Sequence, residues 1–173
     1  MKDFIIALVL AIIAAIAIDR VNASEATNKV QNDAKAVATV FAYDSNSNPV
    51  SQGSGFFISS DGLLLTNYHV LAGSSYALTE AKLPSGAYYK LDKIVGLDKN
   101  DDIAILKFDA KNVPFVDLGN SDDIQSGDQV FAIGSPLDFE NSVSAGVISN
   151  PKRAIGGQYF IQFTALGCLK VAA

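Results

Sequence analysis

The feature that most constrains the fold of this chain is a series of short apolar or alternating runs. Turn signals separate these runs at a spacing of roughly ten residues. No helical period persists after residue 36. Asp61-Gly62, between two apolar runs, predicts a tight hairpin turn. Many short strands at regular spacing are typical of an all-β sandwich or barrel. The predicted strands are Ala36–Tyr43, Gly55–Ile58, Leu63–Asn67, Tyr76–Glu80, Ala87–Val95, Ile103–Phe108, Gln129–Ile133, Ser142–Ile148 and Tyr159–Thr164.

Composition excludes several classes of function. Hydrophobic residues make up 49% of the chain, which is enough for a packed core. The formal net charge is -5 and no run of Lys and Arg forms a basic patch, which argues against a nucleic-acid binder. The single Cys cannot form an internal disulfide, and one His with one Cys is a poor metal-ligand set. We therefore expect no metal and no cofactor.

The N-terminus has the pattern of a targeting segment. Lys2 is followed by an apolar run over Phe4–Ile18, which is shorter than the roughly 20 residues that span a bilayer. Val21-Asn22-Ala23 places small residues where a signal peptidase cleaves. Residues 1–23 are thus predicted to be a signal peptide, with a retained N-terminal anchor through residues 4–18 as the alternative. Either way we expect an exported protein, periplasmic or secreted, that meets a membrane only through an uncleaved N-terminus.

His69 is the only histidine, and it follows the strand-like run Leu63–Asn67 after one residue, Tyr68. A catalytic imidazole needs a carboxylate that fixes its tautomer and a nucleophile that it can deprotonate. Asp102 is a candidate carboxylate because it enters the apolar run Ile103–Lys107 from a polar turn. From these residues alone two other interpretations stay open. Asp102 could simply cap a turn, and His69 could be a satisfied surface or core residue.

Two segments around these residues match a known pattern. Gly53–Ile58 with Asp61–Val70 resembles the catalytic-histidine region of HtrA-like (DegP-like) serine endopeptidases, and Val95–Asp98 with Asp102–Lys107 resembles their catalytic-aspartate region. The resemblance covers roughly residues 36–165. Further blocks follow in the family's order: Leu118–Ser121, Gly127–Val130, Ala132–Pro136, Val143–Ser149 and Ile161–Ala165.

The resemblance implies a chymotrypsin-like double β-barrel, with the first barrel complete and the second incomplete at the C-terminus. It also implies an endopeptidase acting on polypeptides, with His69 as general base and Asp102 as its orienting carboxylate. The corresponding regions are a linker or short helix over 24–35, a first barrel over 36–118 and a partial second barrel over 119–165. Residues 166–173 form an off-pattern tail.

The family's nucleophile lies in a Pro-Gly-Asn-Ser-Gly-Gly-Pro loop, whose glycines help to form the oxyanion hole. Where that loop should begin, this chain reads Leu166–Ala173. We therefore expect that the nucleophile and the oxyanion loop are absent, and that the chain is a truncated or frameshifted version, inactive as written. Three substitutes are poor ones. Ser121 precedes two carboxylates, Ser54 lacks the G-x-S-x-G spacing, and Cys168 has no flanking glycine pair to supply N–H donors.

Two other hypotheses compete with a protease. The chain could be a non-catalytic pseudoprotease module that binds peptides or partners, or a second chain could supply the missing strands and the serine. The sequence predicts neither a substrate preference nor an oligomeric state.

Overall fold

Antiparallel strands dominate the part of the chain that the structure describes. The computed structural model describes residues 16–17, 23–134 and 142–165. Its helix is α1 (Ala23–Ala34). Its strands are β1 (Ile16–Ala17), β2 (Val37–Tyr43), β3 (Pro49–Phe57), β4 (Leu63–Thr66), β5 (Glu80–Lys82), β6 (Tyr88–Asp98), β7 (Ile103–Phe108), β8 (Gln129–Gly134), β9 (Ser142–Ile155) and β10 (Gln158–Phe163).

These strands form one closed barrel and one open sheet. The barrel has the order β2-β3-β4-β7-β6-β5, and β5 pairs with β2 to close it. The sheet has the order β1-β8-β9-β10. A closed six-stranded barrel followed by a partial second sheet confirms the predicted all-β, chymotrypsin-like fold class.

The barrel closes around alternating inward-facing side chains. Every second residue of β7 is buried, and Ala104, Leu106 and Phe108 are fully so. The rings of Phe57 and Phe108 meet edge to face with centroids 6.1 Å apart, a geometry that aromatic pairs prefer. Since burial of each large apolar side chain contributes about 1.5–3 kcal/mol, this interior is the main stabilising element of the first half.

A second apolar cluster joins the barrel to the open sheet. Val30 and Ala34, one turn apart on α1, pack with Val37 and Phe56 of the barrel and with Ile133 of β8. The sequence was consistent with either a linker or a short helix over residues 24–35, and the structure has a helix there. The helix therefore contributes to the contact between the two halves.

Most predicted strands are present, but several of their bounds differ; β9, for example, runs to Ile155, well beyond the predicted Ile148. The prediction of a strand over Tyr76–Glu80 is wrong: Tyr76–Leu78 is a 3-10 helix, and the strand is Glu80–Lys82. Local i→i+3 bonds from Leu78 N to Ser75 O (2.9 Å) and from Thr79 N to Tyr76 O (3.1 Å) outcompete a ladder there. β3 also begins at Pro49, well before the predicted Gly55, because its whole length pairs with β2.

The N-terminal segment contributes one short contact. Ile16 and Ala17 pair with Phe131 and Val130 of β8. Apart from Ile16, Ala17 and Ala23, the predicted signal peptide lies outside the described residues, and its targeting role stays a prediction. No helix in the described part of the chain is long and apolar enough to cross a membrane.

Candidate active site

His69 lies in a one-turn 3-10 helix, Tyr68–Val70, directly after β4. The hairpin predicted from Asp61-Gly62 is confirmed, because β3 and β4 pair across it and Ile58 N donates to Leu63 O at 2.8 Å. β4 also pairs with β7, so the end of β4 meets the start of β7. This pairing brings His69 to the turn that carries Asp102.

Asp102 occupies that turn in an unusual backbone conformation. Its φ is 58°, in the left-handed region that non-glycine residues other than Asn and Asp seldom adopt. Its carbonyl oxygen accepts two hydrogen bonds, from Tyr68 N at 3.1 Å and from the Asn67 side-chain Nδ2 at 3.0 Å. The residues just before His69 therefore hold the Asp102 backbone.

The Asp102 carboxylate contacts His69 at two points. Its Oδ2 lies 2.8 Å from the imidazole Nδ1, and its Oδ1 accepts a hydrogen bond from the His69 backbone N–H at 2.9 Å. An ionised carboxylate only accepts, so the neutral imidazole must carry its proton on Nδ1. Nε2 then has a free lone pair and can act as a base. The His69 side chain is 40% exposed, so a reacting group can reach it.

Close packing beneath the 3-10 helix fixes His69 from the other side. A Cβ built at Gly53 of β3 would lie 2.4 Å from Cγ2 of Val70, a distance that real Cβ atoms essentially never show. Val70 is 1% exposed and belongs to the barrel core. Gly53 is therefore needed for close approach, and it lets the residue after His69 pack against the strand.

The structure places the poor nucleophile candidates as follows. Ser54 is 2% exposed, and its carbonyl accepts a hydrogen bond from the Thr66 hydroxyl at 2.9 Å. Ser121 begins a 3-10 helix whose N-cap, Asn120, accepts from Asp122 N at 3.2 Å. Cys168 lies outside the described residues. Within the described ranges, Asp102 is the one side chain that hydrogen-bonds to the His69 ring.

The site offers no obvious metal centre. Over the described residues there is no group of three or more His, Cys, Asp or Glu side chains that could hold an ion.

Two features of the site were not predicted from the sequence, namely the anchoring role of Asn67 and the Gly53–Val70 contact. The position of Asn67, two residues before His69, was the available signal for the first, whereas nothing local signals the second.

Comparison with known proteins identifies the family. A model of the trypsin-like peptidase domain matches residues 53–168, which is more than half of the chain. The chain belongs to the trypsin-like peptidase family. The match extends to Cys168, whereas the resemblance in motifs ends at Ala165.

The similar proteins are of the HtrA type. "Probable periplasmic serine endoprotease DegP-like" proteins of Pseudomonas fulva (strain 12-X) and Halomonas elongata are each 42% identical over 113 residues, 65% of this chain. The chain spans 23% of the length of these relatives.

Among solved structures, an HtrA-type protease AlgW with tripeptide is 37% identical with a TM-score of 0.69, over 79% of this chain and 44% of that one. An HtrA-type protease AlgW with decapeptide is 32% identical with a TM-score of 0.67, over 80% of this chain and 51% of that one. The chain is thus an HtrA-like member of the family, as its motifs predicted.

Proposed function

We propose that His69 and Asp102 are the general base and the orienting carboxylate of the Ser-His-Asp site of an exported endopeptidase that hydrolyses peptide bonds in polypeptides. The observation that carries the proposal is the two-point contact, with Nδ1 to Oδ2 at 2.8 Å and the His69 N–H to Oδ1 at 2.9 Å. Such a contact fixes both the tautomer and the ring orientation. No metal or cofactor enters the proposal.

The chemistry follows from the free Nε2. As a serine hydroxyl attacks the scissile carbonyl, Nε2 takes its proton, and the Asp102 carboxylate stabilises the imidazolium that forms. Nε2 then gives that proton to the leaving amine, which frees the first product. Water enters, loses a proton to Nε2 and attacks the acyl ester. The bond between the acyl carbon and the serine oxygen then breaks, Nε2 returns its proton to that oxygen, and the carboxylic acid product leaves, so that serine and imidazole are restored. General base catalysis of this kind contributes about 10²–10⁴-fold in rate.

The substrate class and the compartment rest on relatives. The DegP-like relatives are named periplasmic endoproteases, and the AlgW structures hold a tripeptide and a decapeptide. Together with the apolar N-terminal segment, these names support export and polypeptide substrates for this chain. The division into a first barrel over 36–118 and a partial second barrel over 119–165 remains part of the same proposal.

The nucleophile is the other part of the proposal. The 173 residues contain no Gly-Asn-Ser-Gly-Gly sequence. Loss of the triad serine costs on the order of 10⁶ in kcat in the best-studied protease, subtilisin. We therefore propose that this chain by itself does not cleave peptides, and that His69 and Asp102 work once a serine and oxyanion donors are supplied.

Two experiments test the proposal. The full chain is treated with a serine-directed fluorophosphonate, and we expect no labelling above that of a His69→Ala control. A chimera then joins residues 23–165, which keep helix α1, to the following protease-domain segment of a DegP-like relative. We expect it to cleave an unfolded protein, and to lose activity in His69→Ala and Asp102→Asn versions.

The results that contradict the proposal are specific to each experiment. His69-dependent labelling of the full chain would show that it already holds a nucleophile. A chimera that cleaves equally well after both substitutions would remove His69 and Asp102 from the mechanism.

A further inference from the structure

A side chain from the open sheet contacts the turn that carries Asp102. Gln158 is the first residue of β10, and it follows the tight turn of the β9–β10 hairpin, where Gly156 and Gly157 have φ values of 61° and 86°. Its Nε2 donates to the Asn100 carbonyl oxygen at 3.1 Å and to Asp101 Oδ1 at 3.0 Å. The contact spans 57 residues of sequence to Asp101 and links the two halves of the fold.

The turn between β6 and β7 is stabilised by a side chain of its own, that of Asp98. Asp98 Oδ1 accepts from the backbone N–H groups of Asn100 at 2.8 Å and of Asp101 at 3.0 Å. This local arrangement orders the turn as far as Asp101. It does not reach Asp102, which is the residue with the left-handed backbone.

Asp102 therefore depends on contacts from both sides. On one side Asn67, Tyr68 and His69 donate to its carbonyl and carboxylate oxygens. On the other side Gln158 donates hydrogen bonds to Asn100 and Asp101, the two residues that precede Asp102. A residue in a sparsely populated backbone region persists only where its surroundings over-determine it.

We propose that Gln158 is a positioning residue, and that the β9–β10 hairpin sets the place of the Asp102 carboxylate against His69. In this contact Gln158 is only a donor: its side-chain Nε2 carries two hydrogens and donates one to the Asn100 carbonyl oxygen and one to Asp101 Oδ1. Its link to catalysis rests on the proposed function, whereas its link to geometry does not.

The donor chemistry defines the variants. Gln158→Ala removes the donor, and Gln158→Glu replaces it with an acceptor that faces the Asp101 carboxylate. Gln158→Lys keeps a donor and adds a charge opposite to that of Asp101. The matched control is Gln162→Ala on the same strand, because the Gln162 side chain bonds to Arg153 within the open sheet.

The readout is amide hydrogen exchange in the full chain, measured residue by residue. The N–H groups of Tyr68 and His69 donate to the carbonyl and carboxylate of Asp102, so their protection reports its position directly. The loss of one such contact predicts about fivefold faster exchange at these two amides in Gln158→Ala. We expect at least the same in Gln158→Glu, protection close to that of the unmodified chain in Gln158→Lys, and no change in Gln162→Ala.

A second readout separates positioning from general loosening. His69 is the sole histidine, so its imidazole Nδ1–H gives one resonance, which we expect to broaden in Gln158→Ala and to recover in Gln158→Lys. Unchanged Tyr68 and His69 amides in Gln158→Ala would overturn the proposal, as would an equal effect of Gln162→Ala.

The outcomes distinguish this proposal from the proposed function. Altered exchange in Gln158→Ala, together with a chimera that cleaves equally well after His69→Ala and Asp102→Asn, would leave Gln158 as a positioning residue and reject the proposed function. Unaltered exchange in Gln158→Ala, together with a chimera whose activity needs His69 and Asp102, would reject the positioning role of Gln158 and support the proposed function.

Discussion

The contact between Gly53 and Val70 makes a strong quantitative prediction, because it locks the segment that carries His69. In Gly53→Ala the new Cβ would lie 2.4 Å from Val70 Cγ2 and 3.1 Å from Cγ1. Val70 is 1% exposed, so its branched side chain has little room to turn away. Overpacking of this kind costs about 1–3 kcal/mol. Replacing a strand glycine offsets roughly 0.5–1 kcal/mol of that, so we expect a net loss of about 0–2.5 kcal/mol.

The assay is urea unfolding of the full chain with a matched glycine variant. Gly96 lies in strand β6, where an added Cβ would meet no atom within 4 Å and φ is not positive, so Gly96→Ala should be neutral or slightly stabilising. Because the clash needs Val70, the double variant Gly53→Ala/Val70→Ala should recover part of the loss caused by Gly53→Ala. A double-mutant cycle measures that coupling. Equal unfolding midpoints for Gly53→Ala and Gly96→Ala, or strict additivity in the cycle, would show that the contact with Val70 does not limit stability.

Three further substitutions test the surroundings of the site and one turn. Thr66→Val removes a buried hydroxyl that donates to the Ser54 carbonyl at 2.9 Å, and it should destabilise the chain by about 1–3 kcal/mol. Thr79→Val makes the same exchange at a buried hydroxyl with no partner among the described residues, so it should be neutral or stabilising; urea unfolding with the opposite order would contradict this. Hydrogen bonds from the Asn48 side chain, and then from the Asn48 and Asn46 N–H groups, lower the pKa of Asp44. A lowered folded-state pKa stabilises the fold above the unfolded value of about 3.9 and loses that effect as the pH falls through the folded value. The stability gap between the unmodified chain and Asp44→Asn should therefore be constant near neutrality and shrink in acid, and a gap that grows in acid would exclude this cause.

Local pattern predicted the fold well where local and long-range preferences agree. Ile103–Phe108 has the same bounds in the prediction and in the structure, because its alternation matches a barrel wall buried on one face. Tyr76–Glu80 failed because its apolar residues satisfy their backbone locally, and only Glu80–Lys82 reaches the neighbouring β2 and β6. Whether such a segment forms a strand depends on pairing partners that are far away in sequence, and local periodicity does not reveal those partners.

The site divides in the same way. His69 and Asp102 were selected through their resemblance to a family, and their contact required the pairing of β4 with β7. The positive φ of Asp102 and the contact of Gln158 with its turn left no local signal in the sequence. Both arise where segments far apart in sequence meet in the folded chain, so local sequence pattern does not reveal them.

The proposed chemistry depends above all on Asp102 holding His69 as a base with its free lone pair on Nε2. Nitrogen NMR of the full chain labelled in its single histidine tests this directly, because every imidazole signal belongs to His69. We predict that the neutral ring carries its proton on Nδ1, and that Asp102→Asn shifts the population toward the Nε2-protonated tautomer. A ring protonated on Nε2 in the unmodified chain, or a tautomer that does not respond to Asp102→Asn, would contradict this role of Asp102.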